Sequence, residues 1–187
     1  MNPPSLDLLS VEDFLTFPEV RPPLEYFEGR VIQKMSPKVP HSYLQPDLCA
    51  YLNQFARPRR LGRAGTEMRC TFGGVSLVFD ISFYVHARMP GFTRTEEAPD
   101  VLAAPDLAVE IISPGQTVAD QTTRLRFATR HGMRIGWLIH LIRETVTVLR
   151  PRRRSTILQS GGVLSGDDVL PGFELPLDEL FSWLERD

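Results

Sequence analysis

Leu77-Val78-Phe79-Asp80-Ile81 and Leu107-Ala108-Val109-Glu110-Ile111-Ile112 are two strand-like apolar runs, each interrupted by a single carboxylate. Taking an ionised carboxylate out of water costs roughly several kcal/mol unless a cation or hydrogen bonds compensate. A strand that needed only packing would carry Val or Leu at these places. Two such acids on separate strands point to a shared metal ion. Strand alternation puts Val78, Asp80, Ser82 and Tyr84 on one face, and Ala108, Glu110 and Ile112 on one face of the second run. If the two strands are neighbours, both carboxylates point into one cleft. Two carboxylates plus waters suit Mg²⁺, with Mn²⁺ as a substitute, and leave positions open for a phosphate. A metal held in this way activates water and steadies charge in a phosphodiester displacement. The other reading of the pattern is that either acid lies at a strand end, solvated or paired with an arginine.

Outward from these runs, the chain reads as alternating short elements. Ser10 caps a helix through Leu15, with Asp13 in its first turn. Leu24 to Phe27 and Val31 to Met35 read as strands joined by a tight turn at Glu28-Gly29. Leu44, Leu48, Tyr51, Leu52 and Phe55 recur at helical spacing over about 42–57, and Pro46 argues for a start later than Ser42. Two strands follow, over 66–72 and 75–85, hinged at Gly73-Gly74. Residues 86–104 lack periodicity and read as a long loop. Asp106 to Ser113 has the apolar continuity of a strand covered on both faces. Thr117 caps a helix that closes at His131-Gly132. Strands at 135–142, 145–150 and 156–159, turns at Gly161-Gly162 and Pro171-Gly172, and a short helix from Asp178 complete the chain. The economical expectation is one α+β domain over 1–187, with a mixed central sheet flanked by helices.

Composition narrows the function classes. The chain has 187 residues, a net charge of −2 and 42% hydrophobic residues, so any nucleic-acid surface must be local. No run approaches a membrane helix, and no signal-peptide pattern opens the sequence. Cys49 and Cys70 form no metal-type spacing and read as reduced thiols of a cytoplasmic protein. Of the 21 basic side chains only Lys34 and Lys38 are lysines, a skew first read as genomic composition. Arg57/Arg59/Arg60/Arg63 and Arg150/Arg152/Arg153/Arg154 read either as phosphate contacts or as solvated turns. No phosphate-binding glycine loop, zinc spacing or nucleophilic Ser or Cys signature is present.

Leu24-Glu-Tyr-Phe-Glu-Gly29, Val78-Phe-Asp-Ile-Ser-Phe83, Pro105-Asp-Leu-Ala-Val-Glu-Ile-Ile-Ser-Pro114, Gly132 through Trp137-Leu-Ile, and Leu170-Pro-Gly-Phe-Glu-Leu-Pro176 occur in this order. Together they resemble the putative restriction endonuclease family of bacteria, within the PD-(D/E)xK (restriction-endonuclease-like) superfamily, from Ser10 to Phe181. The resemblance implies a Mg²⁺-dependent endonuclease acting on DNA, with Glu25, Asp80, Glu110 and Arg124 as catalytic residues and Asp80 and Glu110 holding the metal. His41 occupies the place of a family histidine after the Ser-Pro loop; its local reading is a half-exposed residue near a helix start.

Two departures stand against the activity. The superfamily's lysine after the acid falls on Ile112, and the alternative position on the following helix carries Arg124. Arginine keeps a positive charge but cannot act as a general base near neutral pH. Gln116 stands where relatives often have an acid. The competing reading is therefore a nuclease-like fold without catalysis, serving as a nucleic-acid-binding or assembly module; RNA or nucleotides are a third substrate class. A homo-oligomer, in the simplest case a dimer, is expected by analogy with enzymes that reach both strands.

Overall fold

Ser10 opens the first helix through a reciprocal cap. Its Oγ accepts from the Asp13 backbone N–H at 3.0 Å while Asp13 Oδ2 accepts from the Ser10 N–H at 3.1 Å, starting α1 (Val11–Leu15). The computed structural model describes residues 9–89 and 101–185. Most of the loop expected over 86–104 lies outside them; His86–Arg88 forms a 3₁₀ turn and Val101 bridges Cys70.

β1 (Leu24–Phe27) and β2 (Arg30–Gln33) form the expected hairpin, with Glu28 and Gly29 both at positive φ. α2 (Val39–Ala56) starts earlier than the sequence suggests and runs through Pro46. The reason is the buried stripe Leu44, Leu48 and Leu52, each fully enclosed. Burying each leucine is worth about 1.5–3 kcal/mol, which together outweighs the roughly 3 kcal/mol cost of an interior proline. Pro46 itself faces solvent, and Pro40 sits in the first turn, where no N–H is needed.

The two long strands expected over 66–72 and 75–85 are four: β3 (Gly62–Thr66), β4 (Arg69–Phe72), β5 (Val75–Val78) and β6 (Ile81–Val85). They remain one long hairpin, turned at Gly73-Gly74 with φ of +56° and +80°. The hairpin breaks at Glu67-Met68 on one arm and Phe79-Asp80 on the other. Beyond the break, β4 and β5 join a four-stranded sheet of order β2-β1-β5-β4, while β3 and β6 stay in the central sheet.

The central sheet also contains β7 (Leu107–Ile111), β8 (Ile135–His140), β9 (Thr145–Leu149) and β10 (Thr156–Leu158), in the order β10-β9-β8-β7-β6-β3. Only β7 and β8 pair in parallel, joined by the crossover helix α3 (Val118–Arg130); the other pairs are antiparallel. This is the expected mixed sheet flanked by helices. Alternation divides β7 cleanly. Leu107, Val109 and Ile111 pack with α2, with the hairpin β11 (Val163–Ser165) and β12 (Glu174–Pro176), and with α4 (Leu177–Ser182). Ala108 faces Leu125 and Ala128 of α3. Glu110 follows Ala108 to the α3 face by the same period of two.

Phe79, fully buried at the break, stacks on Phe72 with ring centroids 6.5 Å apart. Phe79→Ala is expected to cost about 3–5 kcal/mol, read as a lower urea midpoint at unchanged m-value.

Candidate active site

Asp80 lies on the break itself rather than within a strand, so its backbone and side chain leave the sheet ladder together. The Asp80 carbonyl and carboxylate, and the Val78 groups just before the break, are taken by other parts of the chain. The Asp80 carbonyl accepts from the Glu67 N–H at 3.2 Å and from Gln45 Nε2 at 2.8 Å. Val78 donates its N–H to Glu25 Oε1 at 2.8 Å and accepts from Lys34 Nζ at 2.7 Å. Asp80 Oδ2 accepts from the Ile111 N–H at 2.7 Å, and Oδ1 accepts from Lys34 Nζ at 2.6 Å. His41 Nε2 stands 3.4 Å from the same Oδ1, its Nδ1 2.9 Å from Ser113 Oγ. Burial alone would raise the Asp80 pKa; the Lys34 charge and the His41 hydrogen bond hold it well below the usual carboxylate range.

β6 and β7 are neighbours, with Ile81 opposite Val109 and Ser82 opposite Ala108, so the expected adjacency of the two acid-bearing segments holds. Glu110 is buried, and its Oε1 has no hydrogen-bond partner among the described residues. Its carboxyl is pushed up to about 8, first by burial and then by the negative charges of Asp80 and Glu25; Lys34 and Arg124 only partly offset these. Lys34 is held in its charged form: burial opposes the charge, but Glu110, Asp80 and Glu25 together outweigh it.

The other two nominated residues join the same cluster. Arg124, on the buried face of α3, donates through Nη2 to Glu25 Oε1, leaving its Nε buried without a partner. Glu25 thus braces Arg124 against Val78. One turn before Arg124, Gln121 is also buried, with Oε1 unpartnered. Thr117 caps α3, accepting from the Asp120 N–H at 3.0 Å, and so fixes where the helix presents both side chains. A cleft of about 450 Å³ lies beside the group, bounded by Glu25, Lys34, Gln116, Gln121 and Arg124; Asp80 and Glu110 do not line it.

His41 is buried rather than half-exposed. Gln116, in place of an acid, accepts from the Ser113 N–H at 3.0 Å and fastens the loop after β7. Ile112 is half-buried apolar packing. The arginine clusters belong to opposite edges of the central sheet, one leading into and onto β3 and the other between β9 and β10. The residue that sequence reasoning missed is Lys34. Its signal was compositional: one of two lysines among 21 basic side chains, just past the end of a strand.

The donor set bears on a metal. Among the described residues no three His, Cys, Asp or Glu side chains assemble a metal-holding cluster. Two carboxylates do converge, one with an unpartnered buried oxygen. This matches Mg²⁺, which binds through one or two carboxylates while keeping waters and phosphate oxygens.

Residues 11–178 match the model of the Uma2 family, described as Putative restriction endonuclease. The chain belongs to that family. It is also similar to a crystal structure of a putative nuclease belonging to DUF820 from Anabaena variabilis ATCC 29413. The two are 36% identical with a TM-score of 0.88, over 94% of this chain and 99% of that one. No curated protein matches the chain. No described helix is long and apolar enough to cross a membrane.

The raised Glu110 pKa has a stability consequence. An unfolded glutamate loses its proton near its ordinary value of 4.5, whereas the folded chain keeps it to about 8. Between these limits the native state binds more protons, so its stability falls as pH rises, by up to about 1.4 kcal/mol per pH unit, and levels above the folded value. Glu110→Gln removes this slope. In metal-free buffer the variant is expected to gain on wild type steadily from pH 5 to 8, measured by urea denaturation; parallel curves would contradict the assignment.

Proposed function

We propose that this chain is a Mg²⁺-dependent endonuclease that hydrolyses DNA phosphodiester bonds. The observation that carries the reading is the unpartnered, buried Glu110 oxygen in the same charge cluster as Asp80, whose cations Lys34 and Arg124 line a neighbouring cleft. Asp80 and Glu110 would hold the metal. Bound Mg²⁺ supplies a Lewis acid for the phosphoryl oxygens and a more acidic water.

The chain's own residues do the rest. The Lys34 and Arg124 cations face the cleft and offset the charge that builds on phosphate oxygens during displacement. Arg124 does this as a fixed guanidinium, since it cannot exchange a proton near neutral pH. Glu25 acts through Arg124 by holding it in place, a positioning role. The burial of Asp80, Glu110 and Lys34 strengthens each of these charge interactions. A dimer would let two such sites reach both strands.

One observation favours the second reading, a nuclease-like nucleic-acid-binding or assembly module without catalysis. Both Asp80 oxygens already have partners within the chain. The two readings separate on a single assay. Supercoiled, linear and single-stranded DNA would be incubated with Mg²⁺ or Mn²⁺ and either wild type or Glu110→Gln. The endonuclease predicts metal-dependent cleavage by wild type and a loss of about 10²–10³-fold or more in the variant. Undiminished cleavage by Glu110→Gln would sink the assignment. Salt-sensitive binding without cleavage by wild type would establish the module. Glu110→Gln suits this better than Asp80→Ala, because removing Asp80 strands a buried lysine at a cost of about 3–5 kcal/mol.

A further inference from the structure

We infer that Lys34 is a built-in counter-cation of the Asp80–Glu110 site, and that a divalent metal enters by displacing its ammonium group from Asp80. The inference rests on the metal reading above and adds to it a competitor that the chain itself provides.

The geometry leaves one route of access. Asp80 Oδ2 is committed to the Ile111 N–H, so Oδ1 is the oxygen a metal can take. Lys34 Nζ occupies that oxygen at 2.6 Å, with its side chain only 9% exposed, and His41 Nε2 stands 3.4 Å from the same atom. An ammonium and a divalent ion cannot share one carboxylate oxygen at contact distance, because their mutual repulsion in a poorly solvated site is large. The second metal oxygen, Glu110 Oε1, has no such occupant. The site is therefore half filled by a cation on one side and unpartnered on the other.

Lys34 is also placed to leave. Its backbone N–H is anchored to the Pro23 carbonyl at 2.9 Å, so movement falls to the four-carbon stem. The residue borders two clefts at once: the one of about 450 Å³ beside α3, and a second of about 590 Å³ bounded by Glu19, Pro22, Met35 and Glu67. Either accepts the displaced ammonium. A lysine suits this task because its charge is compact, readily hydrated and carried on a flexible chain, whereas the guanidinium is a planar fork suited to fixed pairing. Once in a cleft, the same charge is free to meet a nucleic-acid phosphate. A site whose competent form requires Lys34 to swing away binds metal with its intrinsic affinity multiplied by the fraction of time it is open.

The test measures metal binding directly. Mg²⁺ and Mn²⁺ would be titrated calorimetrically into wild type, Lys34→Met and Lys34→Gln, with circular dichroism checking that each folds. Lys34→Gln keeps a hydrogen-bond donor near Asp80 if the apolar variant does not fold. Both variants are expected to bind about tenfold more tightly than wild type, or better. A second readout uses the chain's two lysines. In ¹⁵N-lysine-labelled wild type, the buried Lys34 ammonium gives a protected NMR signal that Mg²⁺ is expected to abolish or shift. Wild-type binding that leaves this signal unchanged, with variants binding equally or more weakly, would overturn the displacement while the metal site survives. Absence of binding by all three proteins would overturn the displacement and the metal reading together.

Discussion

The break in the long hairpin at Phe79-Asp80 is the constraint on which the rest of the site depends. The break ends β5 at Val78 and takes Asp80 out of the ladder, and buried backbone groups without partners are too costly to persist. Glu25, Lys34 and Gln45 converge because they satisfy those groups: the Val78 N–H, the Val78 carbonyl and the Asp80 carbonyl. The same contacts that repair the backbone assemble the cluster. The proposed chemistry and the fold thus share one set of hydrogen bonds, so substitutions here would move stability as well as any activity of the cluster.

Charge explains why the cluster is stable yet unsatisfied. Glu25, Asp80 and Glu110 face the two cations Lys34 and Arg124. Glu25 takes Arg124 and Asp80 takes Lys34, each by direct contact. Glu110 is attracted by Lys34 and Arg124 but meets full desolvation and two like charges, so it is the member that retains a proton. A proton or a metal ion can supply the missing positive charge.

Much of this was legible in the sequence, and what was not has physical causes. A carboxylate in an apolar strand is conspicuous because packing does not explain it, so Asp80 and Glu110 stood out. Period-two alternation then placed Glu110 on the correct face of β7. The α3 cap followed from the Thr117 to Asp120 spacing alone. The break at Asp80 was not legible: Val78-Phe79-Asp80-Ile81 contains no glycine or proline, and the bend is held by side chains far away in sequence. The start of α2 was misjudged because local proline chemistry was weighed without the burial of Leu44, Leu48 and Leu52. Lys34 escaped because its partner lies 46 positions away, and only tertiary contact reveals why it differs from the surrounding arginines.

That difference supplies the last step. Arginine serves this chain nearly everywhere a positive charge is needed, including the buried pair with Glu25. Its planar fork and weak hydration favour lasting contacts with carboxylates. At Asp80 the chain uses lysine instead, whose ammonium reaches both a carboxylate and a carbonyl from one point. An ammonium recovers more of its hydration on release than a guanidinium does, so the cost of letting go is lower. The two cations therefore divide the work by chemistry: Arg124 is held on a helix by Glu25, and Lys34 closes the other side at a position bordered by two clefts. A cluster meant only to be rigid could have used arginine twice. On the displacement inferred above, the lysine marks the contact that would break for a metal to enter.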